Sequence, residues 1–120
     1  MTITAAYVVA WLGAFAFTEI VEAPIYRRLL GVSWLSSLGA SAITHPFVWF
    51  VFPRLRARWL PTTVGSELFA WLVEGAWFFL LSRRAGAAGT TVARALLVSL
   101  LANAASEGLG LSSRAWFGWP

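Results

Sequence analysis

The sequence predicts an all-α fold, with four antiparallel transmembrane helices packed in one bundle. Three observations lead there. Hydrophobic residues make up 59% of the 120 residues and charged residues only 12%, about half the roughly 25% charged content of soluble domains. The mean hydropathy is +0.73, and the apolar residues gather into four stretches that each approach the ~20 residues needed to cross a bilayer. The charges are also sorted by sign. The five acidic residues, Glu19, Glu22, Glu67, Glu74 and Glu107, all lie inside apolar stretches, whereas eight of the nine arginines lie in connections or the tail. Only Arg94 enters an apolar stretch.

The first span is expected over 3–22, closed by Pro24, because proline lacks the N–H that continues a helix. It has no basic segment before it and carries Glu19 near its end, so it reads as a span rather than a cleaved leader. The second is expected over 32–52, stopping at Pro53. The third, over 64–82, has Thr62, Thr63 and Ser66 as candidate caps. The fourth is expected over 90–111, with Gly86 and Gly89 in the turn before it. Connections this short place successive helices side by side in opposite directions, which makes 1–120 a single domain. The arginines are almost evenly divided: Arg54, Arg56, Arg58 and Arg114 on the side of the N-terminus, and Arg27, Arg28, Arg83, Arg84 and a snorkelling Arg94 on the other. The positive-inside rule leans only faintly toward an external N-terminus. Trp34, Trp49, Trp59, Trp116 and Trp119 fall near span ends, where indole rings favour the interface, while Trp11, Trp71 and Trp77 lie deeper.

Polar residues share helical faces at i, i+4 spacing. Ser33, Ser37, Ser41 and His45 form one row. Glu67 and Glu74 lie two turns apart around Trp71, and Ser99, Asn103 and Glu107 form a row with Ser106 beside it. In the first span Ala6, Ala10, Ala14, Thr18 and Glu22 form a small-residue row that allows close helix approach. A rise of ~1.5 Å per residue puts Glu67 and Glu107 roughly 5 Å from the N-terminal face, His45 and Asn103 roughly 11 Å, and Glu74 roughly 15 Å. Glu19 and Glu22 fall at roughly 24–29 Å, near Arg94. Two polar layers are therefore expected. The main one joins His45, Glu67, Glu74, Asn103 and Glu107; the secondary one is a polar pairing of Glu19 and Glu22 with Arg94.

A carboxylate at the centre of a bilayer costs on the order of 2.5–3.5 kcal/mol even on the lenient insertion scale. Without a counterion, such groups share protons, bind a cation or stay neutral. The main layer is thus the candidate ion- or proton-binding site, and His45 with Glu67 and Glu74 is the set a divalent metal would use. Against a metal stand a lone histidine and the lack of H-x-x-x-H or E-x-x-H spacing; the absence of cysteine removes any thiolate ligand. Thr44-His45-Pro46 marks a helix kink beside an imidazole and a hydroxyl.

The segment Ser41-Ala42-Ile43-Thr44-His45-Pro46, the Glu67/Glu74 pair and Ala102-Asn103-x-x-Ser106-x-x-x-Gly110 resemble an uncharacterised family of small four-helix bacterial integral membrane proteins. That family shows N-x-x-T-[HN]-P at the first position and the same paired glutamates. Ser41 departs from its asparagine, and Glu107 lies outside its pattern. The resemblance implies one bundle with a shared polar site in a bacterial inner membrane, and no particular activity.

Three functional readings follow. The leading one is a small membrane protein whose Glu/His/Asn site binds or conducts a cation, either a proton or a divalent metal. The alternative is a structural or assembly subunit of a larger membrane complex, in which the polar cluster sets helix register. An intramembrane metal-dependent hydrolase is third, since glutamates and a histidine can activate water. Expected partners are membrane lipid and either further copies of the chain or the subunits of a complex. Nucleic acid is not expected, because the arginines form short flanking clusters rather than one basic helix face.

Overall fold

The computed structural model describes residues 2–84 and 90–120; the expected turn at Gly86 and Gly89 lies outside them. The described residues contain helices and no strand. Helix α1 spans Ala5–Leu30 and α2 spans Trp34–Pro46; α2 runs on through a π-helical turn, Phe47–Val51, and a 3-10 turn, Phe52–Leu55. Helices α3 and α4 span Trp59–Arg84 and Val92–Phe117. All four segments are long and apolar enough to cross a membrane, as in an integral membrane protein.

The helix starts follow capping chemistry. Thr4, Ser33 and Thr91 sit in extended conformation, and each hydroxyl accepts the backbone N–H three residues on, satisfying one of the donors that a helix start leaves free. Gly31 and Gly118 end α1 and α4 in the left-handed region, at φ 67° and 68°, which glycine adopts without steric penalty.

All four helical segments run further than expected, and the turns after α2 carry it past the expected stop at Pro53 to Leu55. Pro24 lies inside α1: it removes one backbone hydrogen bond, but the helix continues until Gly31 closes it. Helix α3 begins five residues early, at Trp59, so Thr62, Thr63 and Ser66 lie within it rather than cap it. Pro61 is its third residue, where a backbone N–H would have no helical partner in any case. Helix α4 begins two residues later than expected and continues six further, to Phe117.

Pro46 closes the α-helical part of α2, and the backbone widens into the π-helical turn. That turn presents the Trp49 carbonyl to Tyr7, whose hydroxyl donates to it at 2.6 Å. The kink therefore serves as a fastening point for α1.

Each helix packs against the next in chain order, and α1 packs against α4. The interior is small and polar. Glu22, Ser37, Ser41, Thr44, Glu74, Ser99 and Asn103 are buried among alanines, with Tyr26, Phe78 and Val98 as the larger apolar groups. Leucines, isoleucines and several tryptophans face outward, including Ile20, Leu35, Leu72, Leu97 and Leu101. A soluble domain would place these side chains the other way round. Small residues let the helices approach closely: a Cβ on Gly39 would lie 2.9 Å from the Trp77 ring, and one on Gly75 would lie 2.7 Å from Leu96.

Candidate functional site

The early start of α3 changes the depth of its glutamates. Counted from Trp59, Glu74 lies about 22 Å along its helix, and Glu22, counted from Ala5, about 26 Å. The carboxylates expected in separate layers therefore meet at similar depth. Glu74 and Glu22 are only 2% and 1% exposed, and both line a cavity of about 220 Å³ with Thr44, His45, Glu67, Asn103, Ser106 and Glu107. Trp59, Arg114 and Pro120 form the part of its lining nearest the chain termini.

Glu74 is the better supplied of the two buried carboxyls. Its Oε1 accepts from the Thr44 hydroxyl at 2.6 Å, and its Oε2 accepts from the Tyr26 hydroxyl at 2.5 Å and from Asn103 Nδ2 at 3.1 Å. The second Asn103 N–H goes to the Ser99 carbonyl at 2.9 Å, so that amide has no donor to spare. Ser99 Oγ in turn donates to the Trp71 carbonyl at 2.8 Å. One carboxyl thus collects side chains from α1, α2 and α4, all donors, which suits a group whose oxygens only accept when ionised.

Glu22 is poorly supplied. Its Oε1 accepts from the Ser106 hydroxyl at 2.5 Å, while its buried Oε2 has no partner. None of the hydrogen bonds that reach Glu22 or Glu74 among the described residues comes from an arginine.

The expected pairing of Glu19 and Glu22 with Arg94 is not formed. Arg94 is exposed, and its guanidinium donates to the Leu29 carbonyl at 2.7 Å, filling one of the acceptors that the end of α1 leaves free. Counted from Phe117, it lies about 35 Å along α4, beyond the depth of Glu22. Glu19 is half-buried with an unpartnered Oε1, and it does not line the cavity.

Of the expected main layer, Glu74 and Asn103 are in direct contact, and His45, Glu67 and Glu107 share their cavity. The His45 ring does not reach a carboxylate: its Nε2 lies 3.4 Å from the Thr18 hydroxyl, its Nδ1 has no partner, and Phe15 packs edge-on against it at 5.4 Å. Among the described residues, no three His, Cys, Asp or Glu side chains gather as a metal-holding group. A second cavity of about 430 Å³ opens between α3 and α4 along Leu68, Trp71 and Leu100, and it shares Thr63, Glu67, Asn103, Glu107 and Leu111 with the first. These five residues therefore stand between the two spaces.

Tyr26 is the central residue that the sequence reading left out. It fell in the connection after Pro24, although the row Ala14, Thr18, Glu22 reaches it at its next i+4 step. It is fully buried, and its ring packs on Phe78 at 4.2 Å. No family model, curated protein or solved structure matches this chain.

Proposed function

We propose that this chain is a small membrane protein of four antiparallel transmembrane helices whose intramembrane glutamates bind or conduct a cation. The contacts support the antiparallel arrangement. Pairs between α1 and α4, such as Phe17 with Gly110, Glu22 with Ser106 and Leu29 with Arg94, run in opposite order along the two helices. The observation that carries the cation reading is that two almost fully buried carboxylates, Glu22 and Glu74, share one cavity and accept no hydrogen bond from an arginine, Arg114 lining that cavity without bonding to either. Two negative groups in a low-dielectric interior attract a proton or another cation strongly. His45, Glu67 and Glu107 continue the polar lining, and Asn103 holds Glu74 in place. The resemblance to small bacterial membrane proteins supports an inner-membrane location, and the small size of a single bundle supports a homo-oligomer or one subunit of a complex.

Protein reconstituted into liposomes should bind or pass cations, and the double variant Glu22→Gln/Glu74→Gln should lose that property. Unchanged binding and flux in the double variant would sink the reading.

The Glu74 network favours a second reading. Because it ties α1, α2 and α4 to α3, it also suits an assembly subunit in which the polar core sets helix register. Recovery of the chain from native membranes in a fixed ratio with another protein, with no cation binding by either, would favour that reading.

A further inference from the structure

The two halves of the chain repeat one another, and the repeat divides the polar core into a filled half and an unfilled one. Residues 21–26 of α1 (VEAPIY) and 73–78 of α3 (VEGAWF) share the Val-Glu pair and an aromatic residue four positions after the glutamate. Residues 37–44 of α2 (SLGASAIT) and 99–106 of α4 (SLLANAAS) are identical at four of eight positions, and both end on a hydroxyl.

The contacts obey the same correspondence. Glu74 accepts from Thr44, and its counterpart Glu22 accepts from Ser106, the counterpart of Thr44. Tyr26 stacks on Phe78, its own counterpart. The two glutamates are thus equivalent under an approximate two-fold relation, and Thr44 and Ser106 are their matching hydroxyl donors from the other half.

The equivalence stops at the remaining donors. Glu74 also receives Tyr26 and Asn103. In the repeat the corresponding residues are Phe78, which has no hydroxyl, and Ser41, whose buried Oγ lies toward Glu19 and makes no hydrogen bond. The result is an unpartnered Oε2 on a side chain that is 1% exposed and lines the cavity. A buried acceptor left unpaired costs about 1–3 kcal/mol, more when charged, and the same molecule shows how its twin is satisfied.

Resting on the cation reading above, we propose that the Glu22 half is the ligand half, and that its ligand is a small cation carrying N–H donors: ammonium, a primary alkylamine or guanidinium. Its N–H groups take the places that Tyr26 and Asn103 hold at Glu74. Charge and donors arrive together, which a bare metal ion does not provide. The cavity of about 220 Å³ exceeds the space one such ion fills, and its lining includes the aromatic residues Phe17, Trp49 and Trp59, a residue type that attracts organic cations.

The test is titration calorimetry on the protein in lipid nanodiscs, with methylammonium, guanidinium, tetramethylammonium, sodium and magnesium. Methylammonium and guanidinium should bind at least about tenfold more tightly than tetramethylammonium, which has the same charge and no N–H. Ser41→Asn restores the missing amide donor and should weaken methylammonium about tenfold or more, whereas Ser41→Ala, which adds no donor, should not. If Ser41→Asn fails to fold, Phe78→Tyr supplies the other missing donor and should weaken binding in the same direction. Equal affinity for methylammonium and tetramethylammonium overturns the proposal, as does full methylammonium affinity in a folded donor-restoring variant. Binding of sodium or magnesium without the amines overturns it too, but leaves the broader cation reading standing; absence of binding by every cation overturns both.

Discussion

Glu74 and Glu22 carry the same carboxyl at similar depth in the same cavity, yet one is held by three donors and the other by one. The contrast separates two uses of a buried acid. A fully supplied carboxylate is a structural junction, because each donor fixes another helix and removal of the acceptor strands them all. A half-supplied one is available for a further partner. Tallies of intramembrane charge do not distinguish the two; tallies of unpaired atoms do.

The comparison is broken if the two glutamines behave alike. Glu74→Gln should destabilise the fold by about 1–3 kcal/mol, because the amide nitrogen then faces donors it cannot satisfy. Glu22→Gln should cost less than about 1 kcal/mol, because Ser106 keeps an oxygen to donate to and the replaced Oε2 has no partner to lose. Thermal or denaturant unfolding in one detergent checks the pair, and equal losses would mean that the donors around Glu74 contribute nothing net.

A smaller effect sharpens the same contrast from the packing side. Gly39→Ala puts a methyl 2.9 Å from the rigid Trp77 ring, whose Nε1 donates to the Ser36 carbonyl at 3.0 Å. Displacing that ring should cost roughly 1 kcal/mol, at the low end for overpacking. Because Gly39 lies in the helix that brings Thr44 to Glu74, the variant should disturb the filled half and leave amine binding at Glu22 within about twofold. The smallest effect belongs to Arg94→Ala. The exposed guanidinium touches only the Leu29 carbonyl, so neither the melting temperature nor cation binding should move measurably. A change in cation affinity would show that Arg94 reaches Glu22 after all.

Much of the fold was legible because apolar length and charge sorting follow from the cost of placing backbone and charge in hydrocarbon. Four helices of spanning length and the meeting of Glu74 with Asn103 came from local spacing. Helix limits were less legible. Pro24 does not end α1, because the helix tolerates the loss of one hydrogen bond. Pro61 lies inside α3 rather than before it, because a first turn accepts proline without loss. The first shift hid Tyr26 in a connection, and the second separated Glu74 from the depth of Glu22.

The sequence by itself determined that five glutamates lie in apolar helices and that arginines mark the ends, because solvation cost acts on each residue separately. Only the tertiary structure decided which carboxyl is supplied with donors and which is not. Hydrogen-bond satisfaction belongs to a set of side chains brought together from four helices, and Tyr26, Thr44 and Asn103 become partners of Glu74 only when that set is assembled.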